Sequence, residues 1–289
     1  MTHSNAGWGS GLLGVLIFSG SLPATRLAVA DISPIFLTSV RALIAALLGA
    51  LCLLMLRQAR PASRDFASLA VVALGVVVGF PLLTGLALQH ITAARSIVFI
   101  GLLPLATATY AVVRGGERPN AAFWGFSLLG AATVAGFALA HSEGGSLKGD
   151  VLMVAAVLVC GLGYAEGAAI SRRLGGWQVI SWALLLALPV MAVIAWATLP
   201  PRWGDIGPAA WAGLAYVSVF SMFVGFVFWY RGLALGGIAA VGQLQLLQPF
   251  FGLALAALLL HEPVAWTMVL STVVVVLCVV GARRFAETR

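Results

Sequence analysis

Two charged side chains, Arg41 and Glu166, lie inside long apolar stretches of the sequence. If those stretches cross a membrane, each charge costs about 2.5–3.5 kcal/mol on insertion scales and needs a partner or a water-filled cavity. Glu166, close to Tyr164, is suited to binding a substrate amine or a proton. Snorkelling to the membrane surface and pairing with a nearby arginine are its structural alternatives. For Arg41 we expect a structural role, with snorkelling and binding of a substrate carboxylate as the alternatives.

Three glutamines, Gln243, Gln245 and Gln248, make one further apolar stretch unusually polar. Gln245 and Gln248 are three residues apart, so they share a face of a helix. Amides in lipid need partners, and we expect these side chains to face other helices or a cavity. Together with polar and aromatic residues of neighbouring stretches, they give the predicted substrate-binding residues: Tyr164, Glu166, Gln243, Gln245, Tyr230, Phe99, Ser96 and His90.

Signatures of catalysis and of metal binding are absent from the sequence. It lacks the phosphate loop GxxxxGK[ST], the zinc motif HExxH and the nucleophile motif GxSxG, and its four histidines are scattered. The three cysteines have no CxxC spacing and lie in apolar stretches, so we expect small buried thiols. We therefore predict no enzyme activity, no ATP-driven pump within this chain, no cofactor and no metal.

The composition predicts a membrane protein. Hydrophobic residues make up 62% of the chain, charged residues 9%, and the mean hydropathy is +1.07, whereas soluble domains carry about 25% charged residues. Apolar stretches of about 20 residues are long enough to cross the hydrocarbon layer as helices. The predicted spans are residues 8–25, 33–56, 67–88, 94–113, 121–140, 150–171, 177–199, 207–230, 237–260 and 264–282. We therefore predict an all-α membrane protein with ten transmembrane helices.

Basic residues are unevenly divided between the predicted loops. Loops on the side of the two termini hold eleven Lys and Arg residues, and loops on the other side hold four. Positive loops stay in the cytoplasm, which predicts cytoplasmic termini. Residues 1–7 contain no Lys or Arg, so we expect a retained first helix rather than a signal peptide. Because the basic residues lie at helix ends, we expect the lipid bilayer and a small-molecule substrate as partners, and no nucleic acid.

One spacing occurs twice in the sequence. Pro104 precedes Glu117 by thirteen residues, Pro249 precedes Glu262 by thirteen residues, and the two pairs are 145 residues apart. We expect the prolines to kink their helices and to shape a cavity or act as hinges. The glutamates are expected to tie a helix end to a neighbouring loop or N-terminus as gates, without contacting substrate.

An odd number of predicted spans separates the two Pro/Glu pairs, so one copy must be inverted relative to the other. This predicts two five-helix halves, residues 1–143 and 144–289, around a central cavity. Inverted repeats are typical of secondary transporters, which bind substrate where the halves meet.

Three segments resemble the drug/metabolite transporter superfamily, specifically proteins built from two EamA domains. They are LTSVRALIAALL, AARSIVFIGLLPLATATYAVVRGGERP and RGLALGGIAAVGQLQLLQPFFGLALAALLLHEPV. The resemblance extends from Trp8 to Arg284. It implies ten helices in two inverted halves, cytoplasmic termini, and a cavity lined mainly by spans one, three, four, six, eight and nine.

The resemblance also implies a substrate class. Members of this superfamily move amino acids, nucleotide precursors, sugars and other metabolites, many of them outward, and this chain lacks the membrane-embedded lysines with which several relatives bind phosphorylated substrates. We expect a bacterial inner-membrane transporter that exports amino acids, particularly apolar or aromatic ones, or similar small metabolites by alternating access. We expect a monomer, with a dimer as the alternative. The alternatives for function are import or exchange of another metabolite or drug, a membrane-embedded enzyme acting on lipid, and a non-transporting scaffold subunit.

Overall fold

The computed structural model describes residues 2–115, 121–140, 146–236 and 243–286, so Glu117 lies outside the described residues. Within these ranges every regular element is helical. Many large apolar side chains face outward, for example Leu54 and Trp196, which are 75% and 79% exposed. Outward-facing apolar helices are expected of a protein surrounded by lipid.

Ten apolar helical stretches follow one another along the described chain. Six are long and apolar enough to cross a membrane, namely Ala6–Ala28, Pro34–Met55, Ser63–Ala87, Leu147–Ser171, Gly176–Ala197 and Pro208–Gly232. Four are shorter, namely Ala93–Thr107, Ala121–Val134, Leu244–Leu260 and Trp266–Gly281. The predicted all-helical membrane class is thus confirmed for the described residues, while ten crossings and the inverted repeat stay predictions.

The α-helices are defined by the following bounds: α1 (Thr2–Ser19), α2 (Ser21–Ala28), α3 (Pro34–Met55), α4 (Phe66–Val72), α5 (Phe80–Ala87), α6 (Ala93–Ile100), α7 (Leu103–Gly115), α8 (Ala121–Ala140), α9 (Leu147–Leu174), α10 (Gly176–Ala197), α11 (Pro208–Ala215), α12 (Gly225–Gly236), α13 (Gln248–Leu260) and α14 (Trp266–Ala286). Local signals start several of them. The Ser33 hydroxyl accepts the Phe36 N–H at the start of α3, and the Thr92 hydroxyl accepts the Arg95 N–H at the start of α6. Such caps satisfy amides that have no partner in the first turn.

Two stretches contain π-helical segments, Ala73–Gly79 and Tyr216–Val224. The first joins α4 to α5 and the second joins α11 to α12. Their last residues are 145 positions apart, which is the offset of the Pro/Glu pairs. Wider π turns frequently occur at functional sites.

The two repeated prolines start new helices. A turn at residues 101–102 separates α6 from α7, and a 3₁₀ turn, Gln243–Leu247, leads into α13. Pro104 and Pro249 are each the second residue of the helix that follows. Proline has no N–H, so this position costs no helical hydrogen bond. The predicted kinks are therefore breaks between consecutive helices.

Glycines allow neighbouring stretches to cross closely. A Cβ atom at Gly75 would lie 2.6 Å from the carbonyl oxygen of Val159 and 3.0 Å from the Cα atom of Gly163. This crossing packs the π segment Ala73–Gly79 against α9. Elsewhere α1 packs against α12, α2 against α11, α3 against α10, and α8 against α14. Small residues bring helix backbones together where no hydrophobic effect drives association.

Candidate substrate-binding site

A small cavity lies where α2, α3, α9 and both π segments meet. The space inside it that the centres of water molecules can occupy is about 30 Å³. One water needs about 10–15 Å³ on this measure, so the cavity holds about two waters and no metabolite. Its lining residues are Phe18, Ser21, Leu22, Arg41, Val76, Phe80, Pro81, Ile100, Leu103, Cys160, Tyr164, Ser221, Met222, Phe226 and Gln248. A solute therefore requires the surrounding helices to move.

The cavity receives residues from all six spans that the family resemblance implies, and from one more. The additional residue is Arg41 of α3, which is only 4% exposed. Its Nη2 atom donates to the Ser221 hydroxyl at 3.3 Å, and the hydroxyls of Ser221 and Ser21 are 2.7 Å apart. Within the described part of the chain the Nε atom of Arg41 has no hydrogen-bond partner. Among the described residues, the polar side chains that line the cavity are thus those of Arg41, Ser21, Ser221, Tyr164, Gln248 and Cys160, and Arg41 is the charged one.

Aromatic rings form a further part of the cavity lining. The Tyr164 ring meets the Phe226 ring edge to face at 6.1 Å, and Phe18 meets Phe226 at 4.9 Å. Such pairs hold one another in fixed orientations. Of the predicted substrate-binding residues whose side chains are described, Tyr164 is the one that lines the cavity.

Glu166 is in α9, two residues after the lining residue Tyr164, and does not itself line the cavity. The Ser68 hydroxyl donates to its Oε1 atom at 2.5 Å, which ties α9 to α4. Further along the same pair of helices, Arg173 donates to the Asp65 carboxylate at 2.6 Å. Glu166 therefore belongs to a set of contacts that close one end of the molecule.

Tyr230 and Gln245 are buried without lining the cavity. The Tyr230 ring packs at 5.6 Å from the Phe226 ring, behind the cavity wall. Neither the Tyr230 hydroxyl nor the Gln245 Nε2 atom has a hydrogen-bond partner among the described residues. The backbone of Gln243 starts the 3₁₀ turn, while its side chain lies outside the described part.

The remaining predicted residues lie away from the cavity. The Ser96 hydroxyl donates to the carbonyl of Thr92 in its own helix at 3.0 Å, and Phe99 is buried in the core. His90 is exposed at the turn before α6. Instead of Phe99, the next residue along the helix, Ile100, lines the cavity.

Carboxylates close the other end of the molecule. Glu262 follows α13 and accepts the backbone N–H groups of Ala93 and Ala94 at 3.1 and 2.8 Å, so it caps the start of α6. The next residue, Arg95, forms a bidentate ion pair with Asp150 of α9. The contacts join three helices at the end of α9 opposite to Arg173. At this position Glu262 lies away from the cavity. The sequence analysis likewise expected it to tie a helix end to a neighbouring N-terminus without contacting substrate.

We expect the Glu262→Ala variant to lose about 1–3 kcal/mol of unfolding free energy, because two amides lose a charged acceptor. Unfolding by SDS in detergent micelles, followed by tryptophan fluorescence, measures the loss. Asp31→Ala is the matched control, since Asp31 also accepts one backbone N–H, that of Gly207, but on an exposed surface. Equal losses for the two variants would contradict a specific cap at Glu262.

Comparison with known proteins identifies the family. A sequence model described as the EamA-like transporter family matches residues 6–139 and again residues 147–283. The chain belongs to this family. EamA-family membership confirms the resemblance stated from the sequence, and it makes the protein a multi-pass membrane transporter rather than an enzyme.

Individual relatives agree with this assignment. The chain is 62% identical to a Bacillus subtilis (strain 168) protein named "Uncharacterized transporter YdeK", over 99% of this chain and 100% of that protein. It is 24% identical to the Synechocystis protein named "Uncharacterized transporter sll0355", over 90% of this chain and 85% of that protein. A solved crystal structure covers 97% of this chain and 98% of its own chain with a TM-score of 0.66 at 16% identity, a likeness in fold.

Proposed function

We propose that this EamA-family transporter exports amino acids, or similar small metabolites, across the bacterial inner membrane by alternating access. The observation that carries the proposal is the small cavity between the helices, which combines one buried cation, Arg41, with aromatic walls. Amino acids with apolar or aromatic side chains offer the matching chemistry, a carboxylate and an apolar group. The outward direction and the cytoplasmic termini are part of the proposal and rest on the resemblance and on the charge of the loops.

The inverted duplication is supported by which residues meet at the cavity. Three pairs of lining residues are separated by the 145-residue offset: Val76 with Ser221, Pro81 with Phe226, and Leu103 with Gln248. Helix packing follows the same relation. The first of the ten apolar stretches packs against the eighth. The stretches that would correspond to them in the other half, the sixth and the third, also pack against each other. Two related halves around one cavity provide the two equivalent conformations that alternating access needs.

Alternating access also needs two closures that open in turn. At one end Arg95, Asp150 and Glu262 join α6, α9 and α13, and at the other end Asp65 and Arg173 join α4 to α9. We propose that each set of contacts breaks when the cavity opens to its side. Both sets are formed in the present conformation, which on this proposal is an occluded intermediate of the transport cycle.

Counterflow into proteoliposomes tests the proposed function. Vesicles loaded with unlabelled phenylalanine, leucine or tryptophan should accumulate the labelled form of the same amino acid faster than vesicles without protein. The matched protein control is the Tyr164→Trp variant. The larger tryptophan ring should fill the cavity and abolish counterflow. The buried ion pair between Arg95 and Asp150 should be unaffected. Failure of every amino acid to exceed the protein-free rate would refute this substrate class. Accumulation of the same amino acid in cells that lack the protein would establish the outward direction.

A further inference from the structure

The guanidinium of Arg41 is a buried charge that is not paired with any carboxylate of the described residues. Its one described hydrogen bond goes to the neutral hydroxyl of Ser221, and its Nε atom has no partner in the described part of the chain. A buried cation is ordinarily paired, because its desolvation is otherwise uncompensated. Arg41 therefore differs from Arg95, which the carboxylate of Asp150 holds by two hydrogen bonds.

The acidic residues of the described ranges are all placed elsewhere. Asp65 and Asp150 pair with arginines, Glu166 accepts from Ser68, and Glu262 accepts from two backbone amides. Asp31 accepts the N–H of Gly207 at the surface, and Asp205 is exposed in a loop. The missing negative charge beside Arg41 must then come from outside the described chain, and the cavity is the space that Arg41 lines.

We propose that Arg41, with the hydroxyls of Ser21 and Ser221, forms the subsite that binds the carboxylate of the transported solute. This deepens the proposed function and rests on the same cavity. A guanidinium presents two parallel N–H donors that match the two oxygens of a carboxylate. The two hydroxyls, which bond to each other at 2.7 Å, turn to donate to the bound oxygens.

The surroundings favour a single negative charge over a phosphate dianion. Among the described residues that line the cavity, Arg41 is the one cationic side chain, and the others are chiefly apolar or aromatic. One carboxylate neutralises one guanidinium, whereas a dianion leaves a second charge buried without compensation. The subsite also spans the molecule, because Ser21 follows α1 and Ser221 lies in the second π segment. Binding of one carboxylate thus links segments from both predicted halves.

Paired ligands that differ in the carboxylate test the subsite. In detergent, the wild-type thermal unfolding midpoint should rise with phenylalanine and with 3-phenylpropionate, and it should stay unchanged with phenethylamine and with inorganic phosphate. The Arg41→Met variant should require at least about tenfold more 3-phenylpropionate for the same rise, the loss of one charged hydrogen bond. Ser221→Ala should show a smaller loss of the same kind. Ser218→Ala is the matched control, because the Ser218 hydroxyl bonds only within its own helix, to the carbonyl of Leu214.

The stability of the variant separates a binding role from a structural one. Without ligand, Arg41→Met should unfold at the wild-type temperature or above it, since no acidic partner loses its charge. A lower midpoint for Arg41→Met, or a response to 3-phenylpropionate equal to that of wild type, would overturn the proposal. So would a larger rise with phosphate or phenethylamine than with 3-phenylpropionate.

The two proposals fail in different ways. If no amino acid undergoes counterflow while 3-phenylpropionate still stabilises wild type and not Arg41→Met, the carboxylate subsite stands and the amino-acid substrate falls. If amino acids do undergo counterflow at equal rates in wild type and Arg41→Met, transport stands and the subsite is refuted.

Discussion

Replacing Asp150 by alanine is expected to lower the free energy of unfolding by about 3–5 kcal/mol, the range for breaking one side of a buried ion pair. The Arg95 Nε and Nη2 atoms donate to the Asp150 carboxylate at 2.8 and 2.6 Å, and both side chains are 6% exposed. The pair fastens α6 to α9, and the guanidinium lies 5.2 Å from the centre of the Phe137 ring. Alanine leaves the Arg95 charge in place without this carboxylate. SDS unfolding in detergent micelles measures the change.

Two further variants separate ion pairing from the general effect of a lost aspartate. The double variant Arg95→Met/Asp150→Leu should regain most of the lost stability, because replacing both partners by apolar groups is often neutral. Asp65→Ala should cost less than about 1 kcal/mol, because its partner Arg173 is 51% exposed and water replaces the carboxylate there. If Asp65→Ala and Asp150→Ala lose the same unfolding free energy, burial of the Arg95–Asp150 pair does not explain the loss in Asp150→Ala.

The positions of the long helices were predictable from the sequence alone. The predicted spans 33–56 and 177–199 correspond to the helices Pro34–Met55 and Gly176–Ala197. The thickness of the hydrocarbon layer sets the length of an apolar run that crosses it. Because backbone N–H and C=O groups in lipid must be hydrogen-bonded, such a run folds as a helix. Hydropathy therefore determines where a span lies to within a few residues.

Local breaks within the stretches were not predictable in this way. The predicted span 8–25 consists of α1 and α2, and the span 94–113 is interrupted at residues 101–102. The π segment Ala73–Gly79 contains apolar residues that are equally compatible with an α-helix. This segment packs against α9, where Gly75 lies close to Val159 and Gly163, residues that are distant from it in the sequence. Proline signalled the break only where it begins the next helix.

The residues that line the cavity were predictable only in part. In α6 the sequence analysis chose Phe99, whereas Ile100 lines the cavity, because consecutive helical residues point about 100° apart and α6 is buried on all sides. Polarity identified Glu166, which Ser68 holds outside the lining. Arg41 was recognisable as a charge within a span, but its place at the cavity depends on Ser21 and Ser221, whose hydroxyls carry no special signal in the sequence.

Replacing Gly232 by leucine is expected to separate α1 from α12 and to cost about 3 kcal/mol, the upper end of the range for overpacking. A Cβ atom at Gly232 would lie 2.6 Å from the backbone nitrogen of Gly11 and 2.7 Å from its Cα atom. Backbone atoms cannot rotate away as a side chain does, so the two helices must move apart. Counterflow should also be lost, because Phe18 on α1 and Phe226 on α12 form one wall of the cavity.

Gly9→Leu provides the control for this crossing, since Gly9 is in α1, the helix that Gly232 contacts, and no atom of the described residues lies within 4 Å of a Cβ atom added there. Its unfolding free energy should stay within about 0.5 kcal/mol of wild type, as for surface substitutions in general. Both variants add a leucine side chain to the pair of helices α1 and α12. At Gly232 it would enter the contact between the two helices, whereas at Gly9 it would point into open space. Equal damage from both would mean that glycine flexibility matters at these positions. Damage confined to Gly232→Leu would show that close backbone contact holds α1 against α12, and with it the aromatic wall beside Arg41.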